Sequence, residues 1–87
     1  MILTRSPQTA WRVIEGEAVI LAMDSKVFRG LNAVGSRVWE LIDGRRSVDE
    51  IAQMIANEFA VASDVAARDV RAFIEKLLAK GLATAAS

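Results

Sequence analysis

The spacing of apolar residues changes character at Asn32, and no other feature limits the fold as strongly. Ahead of it, residues 10–14 and 17–23 are rich in β-formers. They are separated by Glu15-Gly16, a short polar break with the glycine that a tight hairpin needs. A second break at Asp24-Ser25 leads into residues 26–31, whose β-branched and aromatic members suit a third strand. Beyond Asn32 the period is helical. Val34, Val38, Leu41 and Ile42 recur at i, i+4, i+7 and i+8, which predicts a helix over 33–42 with Asn32 as N-cap and Asp43-Gly44 as the stop. Ser47 and Glu50 match a capping box, in which hydroxyl and carboxylate satisfy the orphan amides of a helix start. Val48, Ile51, Ala52, Ile55 and Phe59 carry that second helix to about residue 59. Ser63 or Asp64 can cap a third helix over 64–80, with Val70, Phe73, Ile74, Leu77 and Leu78 as its buried face and Gly81 just past its end. Residues 83–87 carry no pattern and are expected to fray.

Strands sorted ahead of helices imply one α+β domain over 1–87, a three-stranded antiparallel sheet followed by three helices that cover one of its faces. The hydrophobic fraction is 53%, but much of it is alanine, which buries little area. The expected core therefore leans on Trp11, Phe28, Trp39, Phe59, Phe73 and the aliphatic set. The chain contains no Cys and no His, so disulfides, a thiol nucleophile, the usual metal ligands and the commonest general base are all missing. Neither a metal nor a cofactor is expected, and the scattered glycines form no phosphate-binding loop. Asp49, Glu50 and Asp64 fall in first helical turns, where a carboxylate complements the helix dipole, so they read as structural rather than catalytic. An enzyme is not expected. There is neither a signal-peptide pattern nor an apolar run of about 18 residues, so no membrane association is expected and the cytoplasm is the default location.

Two binding functions remain. The second and third helices suggest a winged helix-turn-helix that would offer Arg68 and Arg71 to DNA. Against it, 11 basic residues are balanced by 11 acidic ones, and Asp64, Asp69 and Glu75 share that third helix, so nucleic acid is disfavoured as a partner. The other candidate is the third strand. At the border of the sheet, residues 26–31 would leave main-chain donors and acceptors vacant for an extended peptide. Gly30 would admit a close backbone, and Lys26 and Arg29 would favour an acidic peptide. The same two cations also serve as gatekeepers against aggregation, and the same vacant edge allows two copies to pair as a homodimer.

Leu31-Asn32, then Trp39-Glu40-Leu41-Ile42-Asp43-Gly44, then Ser47-Val48-Asp49-Glu50-Ile51-Ala52, then Asp69-Val70 with Phe73-Ile74 and Leu77, and finally Gly81-Leu82 together resemble the PqqD-like family. The Trp11 strand and the Gly16-Glu17 turn fit as well, so the resemblance covers nearly the whole chain. It implies a RiPP recognition element of winged-helix-like arrangement that binds the leader segment of a ribosomally made precursor peptide. Members of that family lay the leader as an extra strand on the third strand, beside the third helix. Carried over by position, the contacts are Lys26, Val27, Phe28, Arg29, Gly30 and Leu31 on the strand, and Arg68, Arg71, Ile74 and Glu75 on the helix. Trp39, Leu41, Asp43 and Gly44 read as core, cap and turn. The Leu-Asn-Ala-Val-Gly segment and the Gly-Leu ending look closer to stand-alone members of lasso-peptide or radical-SAM clusters than to the quinone pathway. The implied role is an adaptor in natural product biosynthesis, whose partners are a precursor peptide and a modifying enzyme such as a leader peptidase or radical SAM protein.

Overall fold

The computed structural model describes residues 1–86. In chain order the elements are β1 (Ile2–Arg5), β2 (Thr9–Ile14), β3 (Glu17–Ala22), β4 (Val27–Gly30), α1 (Ala33–Leu41), β5 (Asp43–Ser47), α2 (Val48–Glu58), α3 (Ser63–Ala79) and β6 (Ala83–Ala86). The expected meander is present, with strand order β2-β3-β4. Its first turn works as local chemistry requires: Glu15 and Gly16 adopt φ of 52° and 82°, the left-handed pair that suits a two-residue hairpin loop. The second turn extends further than expected. Lys26 takes φ 58° and donates its amide to the Ala22 carbonyl at 2.7 Å, so it belongs to the turn, and β4 begins one residue later.

A second antiparallel sheet, order β5-β1-β6, was not foreseen. β1 pairs Ile2 with Ser47 on one side and Leu3 with Ala85 on the other. Residues 83–86, expected to fray, are instead a strand that closes this sheet, while Ser87 lies outside the described residues. The stop expected at Asp43-Gly44 is also the start of β5. Gly44 has φ 81°, and an added Cβ there would sit 3.0 Å from Thr4 Cγ2, so both conformation and space call for glycine.

The helices follow the predicted caps in two of three cases. Asn32 Oδ1 accepts the Gly35 amide at 2.8 Å, and Ser47 and Glu50 form both halves of the capping box. At α3 the expected Ser63 or Asp64 cap is absent: Ala62 holds the cap position with no side-chain bond, and the helix begins at Ser63 itself. Gly81, φ 70°, ends α3 as expected, and Leu82 N returns to the Leu77 carbonyl at 2.9 Å.

The core unites both sheets and all three helices, with Leu3, Ile20, Trp39, Leu41, Ile42, Ile51, Val70 and Ile74 buried. Trp39 is the largest of these. Its ring meets Trp11 edge-to-face with centroids 6.2 Å apart, and the Arg5 guanidinium lies 4.9 Å from the Trp11 centroid while donating to the Trp39 carbonyl at 3.0 Å. Arg5 thereby ties β1 to β2 and to the open end of α1. Of the aromatic residues expected in the core, Trp11, Phe28 and Phe59 are exposed: Trp11 stands on the border strand β2, alternation turns Phe28 outward, and Phe59 holds the C-cap of α2.

Two carboxylates contribute to the acid sensitivity of the fold. The Arg45 and Arg46 amides, with the Arg46 guanidinium, hold Asp43 below its usual range, and Arg37 does the same for Glu58. A lowered folded-state value means stability that is present above the ordinary carboxylate range and is lost as the pH falls through it. The urea midpoint should therefore drop as pH is lowered through that range, and Asp43→Asn should flatten the drop. An unchanged slope in the variant would remove Asp43 from this account.

Candidate functional site

The border of the meander sheet is the feature to build from. β4 pairs with β3 on one side, and no strand among the described residues lies on the other. The tail that might have sealed it is occupied with β1. Which groups face outward follows from register. Leu31 N donates to the Ala18 carbonyl at 2.9 Å, making Ala18–Leu31 a hydrogen-bonded pair. Antiparallel ladders alternate, so Ile20–Arg29 and Ala22–Val27 also close toward β3, and Phe28 and Gly30 direct their amides and carbonyls to the open side. Four backbone groups are thus available to a guest strand.

One buried hydroxyl fixes the end of this ladder. Ser36 Oγ accepts the Ala18 amide at 2.6 Å and donates to the Leu31 carbonyl at 3.3 Å, replacing the direct rung between them. Ser36→Ala would orphan a buried amide and should cost about 1–3 kcal/mol. Urea unfolding measures it. A loss near zero would mean the rung re-forms without the hydroxyl.

The two faces of β4 differ. Arg29 pairs with the buried Ile20, so its half-buried side chain points inward under the sheet, whereas Phe28, 70% exposed, lies on the outer face beside Leu21. Two separate cavities lie near the ends of β4, and only the second is lined by a β4 residue. Near Asn32, a cavity of about 320 Å³ is lined mainly by apolar side chains, including Val34, Val38, Val61, Val70 and Phe73, with Asp69 at its margin. At the other end, a polar cavity of about 220 Å³ lies between the Asp24-Ser25 turn, Arg29 and Lys80.

Of the ten residues predicted as contacts, Val27, Phe28, Arg29 and Gly30 form β4, with Leu31 directly after it and Lys26 in the preceding turn. The structure does not bring the helical four to this border. Arg71 donates to Asp49 on α2 at 2.7 Å, and Ile74 is a core residue, 2% exposed. Together with Glu75, these two line a recess of about 290 Å³ with Met1, Val48, Asp49 and Leu78. Arg68 is exposed beside Asp69, 3.5 Å away. On α3, Asp69 and Phe73 line the apolar cavity and Lys80 the polar one, with Lys76 on the same row at helical spacing. Their spacing of four, three and four was present in the sequence, but Phe73 had been assigned wholly to the core. With Arg71 and Arg68 each beside a carboxylate, the DNA-binding alternative gains no support. Among the described residues no group of three or more His, Cys, Asp or Glu could hold a metal, and no helix is long and apolar enough to cross a membrane.

Comparison with known proteins gives a consistent result. The family model described as coenzyme PQQ synthesis protein D (PqqD) matches residues 17–83. A PqqA binding protein of Gluconobacter oxydans (strain 621H) is 42% identical over 45 residues, 52% of this chain and 47% of that protein, so the match spans about half the length of that relative. Among solved structures, TbiB1 in complex with the TbiA(beta) leader peptide is 31% identical, covers 97% of this chain and 98% of its own, and superposes with a TM-score of 0.87. A lasso peptide synthetase B1 complexed with the leader peptide shares the fold at 21% identity and a TM-score of 0.86, over 98% of this chain and 100% of that one. With β3, β4, all three helices and both capping motifs inside the matched residues 17–83, the chain belongs to the PqqD family.

Proposed function

We propose that this protein is a RiPP recognition element, a non-catalytic cytoplasmic adaptor that holds the leader segment of a ribosomally made precursor peptide as an added strand on β4. The observation that carries the reading is the open border of β4, where Phe28 and Gly30 turn their backbone groups outward. Family membership supports it, as do relatives described as a PqqA binding protein and as leader-peptide complexes. The contacts we assign are Val27, Phe28, Arg29, Gly30 and Leu31, with Lys80, which lines a cavity with Arg29. A domain that holds the leader and also docks on a modifying enzyme, such as a leader peptidase or a radical SAM protein, raises the local concentration of the core peptide at that enzyme's active site. Without His or Cys, the chain contributes positioning rather than chemistry.

The test is to titrate the cognate leader peptide while recording amide spectra. Shifts should centre on Phe28 and Gly30, and the reading fails if they avoid residues 27–31. Arg29→Glu should weaken binding of an acidic leader by about tenfold or more, with a melting temperature close to that of the parent, since a partly exposed edge side chain contributes little to the core. A collapse in stability would instead make Arg29 a structural residue.

A further inference from the structure

The meander sheet has two faces, and the chain buries one of them. Ala18, Ile20 and Ala22 on β3 are core residues, so the alternate residues Glu17, Val19 and Leu21 stand on the other face. Register adds Ala10, Arg12 and Ile14 from β2 and Phe28 and Gly30 from β4. Phe28 is 70% and Ile14 51% exposed, and with Ala10, Arg12, Val19 and Leu21 they line a cavity of about 310 Å³ on this face. A contiguous apolar patch of this kind, rimmed by charge, marks a surface that another molecule covers.

The charges decide what fits it. Arg12 stands opposite Val19 and Glu17 opposite Ile14, so the two lie diagonally across adjacent strands at one end of the apolar surface. Among the described residues neither takes part in an ion pair, whereas Arg37, Arg46, Arg68 and Arg71 each do. A face that carries one unpaired charge of each sign is complementary to itself. A two-fold axis sets each Arg12 against the partner's Glu17, so the pair forms twice while apolar surface meets apolar surface. A partner of one charge sign would satisfy one group and repel the other.

We propose that two copies of this chain associate face to face through the outer sides of their meander sheets, with Phe28 covered at the interface and reciprocal Arg12–Glu17 pairs fixing the orientation. The sheets stack about 10 Å apart through their side chains. The vacant backbone groups of Phe28 and Gly30 lie in the plane of the sheet, so the border of β4 stays open in the dimer. Three short strands make a small interface, and the expected dissociation constant is on the order of tens of micromolar.

Sedimentation velocity of the full chain, over concentrations from micromolar to millimolar, tests this alongside thermal unfolding of each variant. The parent should pass from monomer to dimer and stop there, as a closed two-fold requires. Phe28→Ser and Arg12→Glu should each weaken association by about tenfold or more, with melting temperatures near that of the parent, since both side chains are exposed. The exchanged pair Arg12→Glu, Glu17→Arg should restore association to near the parent value, which general damage to the fold would not allow. A parent that stays monomeric at millimolar concentration, or that grows past the dimer, would overturn the inference. So would a double exchange no better than Arg12→Glu alone, or a dimer indifferent to Arg12→Glu, which would be paired elsewhere, for instance along β4.

Discussion

Gly30→Pro is expected to weaken guest binding by on the order of 100-fold while leaving the melting temperature nearly unchanged. The Gly30 amide faces away from β3, so proline removes no bond of the native ladder, and a Cβ at this position meets nothing within 4 Å. The guest, however, loses a donor. Its carbonyl is left facing a pyrrolidine ring, which costs about 1–3 kcal/mol for the unsatisfied acceptor and further affinity for the displaced strand. The adjacent substitution is the control. Arg29 closes toward β3 opposite Ile20, so Arg29→Pro should break the ladder from within and destabilise the whole domain. Fluorescence polarisation with a labelled leader, alongside thermal unfolding, separates the two. If Gly30→Pro binds like the parent, the guest does not lie along β4.

Trp39→Ala should cost about 3–5 kcal/mol, the range for truncating a buried aromatic residue without room to collapse. For a domain of this size that corresponds to a fall in melting temperature of about 15–30 °C and removes a large part of the total stability. Trp39 is fully buried, packs edge-to-face on Trp11, and sits where Arg5 joins β1 to the end of α1. The cavity would therefore open at the junction of both sheets with the helices. Denaturant unfolding followed by far-UV circular dichroism measures the loss. A value under about 1 kcal/mol would mean that the junction rearranges around the gap and that Trp39 does not hold it together. Peptide binding should fall only as the unfolded fraction grows, since Trp39 is buried away from the open border of β4.

These two substitutions also divide what was legible in the sequence from what was not. The β2–β3 hairpin and the capped starts of α1 and α2 were readable because their causes lie within a few residues: Glu15-Gly16 for the turn, Asn32 and the Ser47–Glu50 box for the caps. The border strand was readable too, although its vacancy could only be assumed. Phe28 was misread as core, because an alternating strand gives its apolar residues to whichever face the fold covers, and here that face is the other one. The sheet formed by β1, β5 and β6 left no such trace. Its strands are four or five residues long, and its pairings join Ile2 to Ser47 and Leu3 to Ala85.

Local periodicity and turn chemistry were enough to determine the meander and the three helices, and the resemblance was enough to indicate the family. Tertiary structure decided that the tail closes a second sheet, that β4 stays open, and that Lys80 lines a cavity with Arg29 while Arg71 and Glu75 line another. The division has one physical reason. A turn or cap is satisfied by neighbours in the chain, whereas strand pairing and the rotation of a helix about its axis are settled by contacts between residues far apart in sequence. Which backbone groups remain vacant becomes defined only after those contacts form.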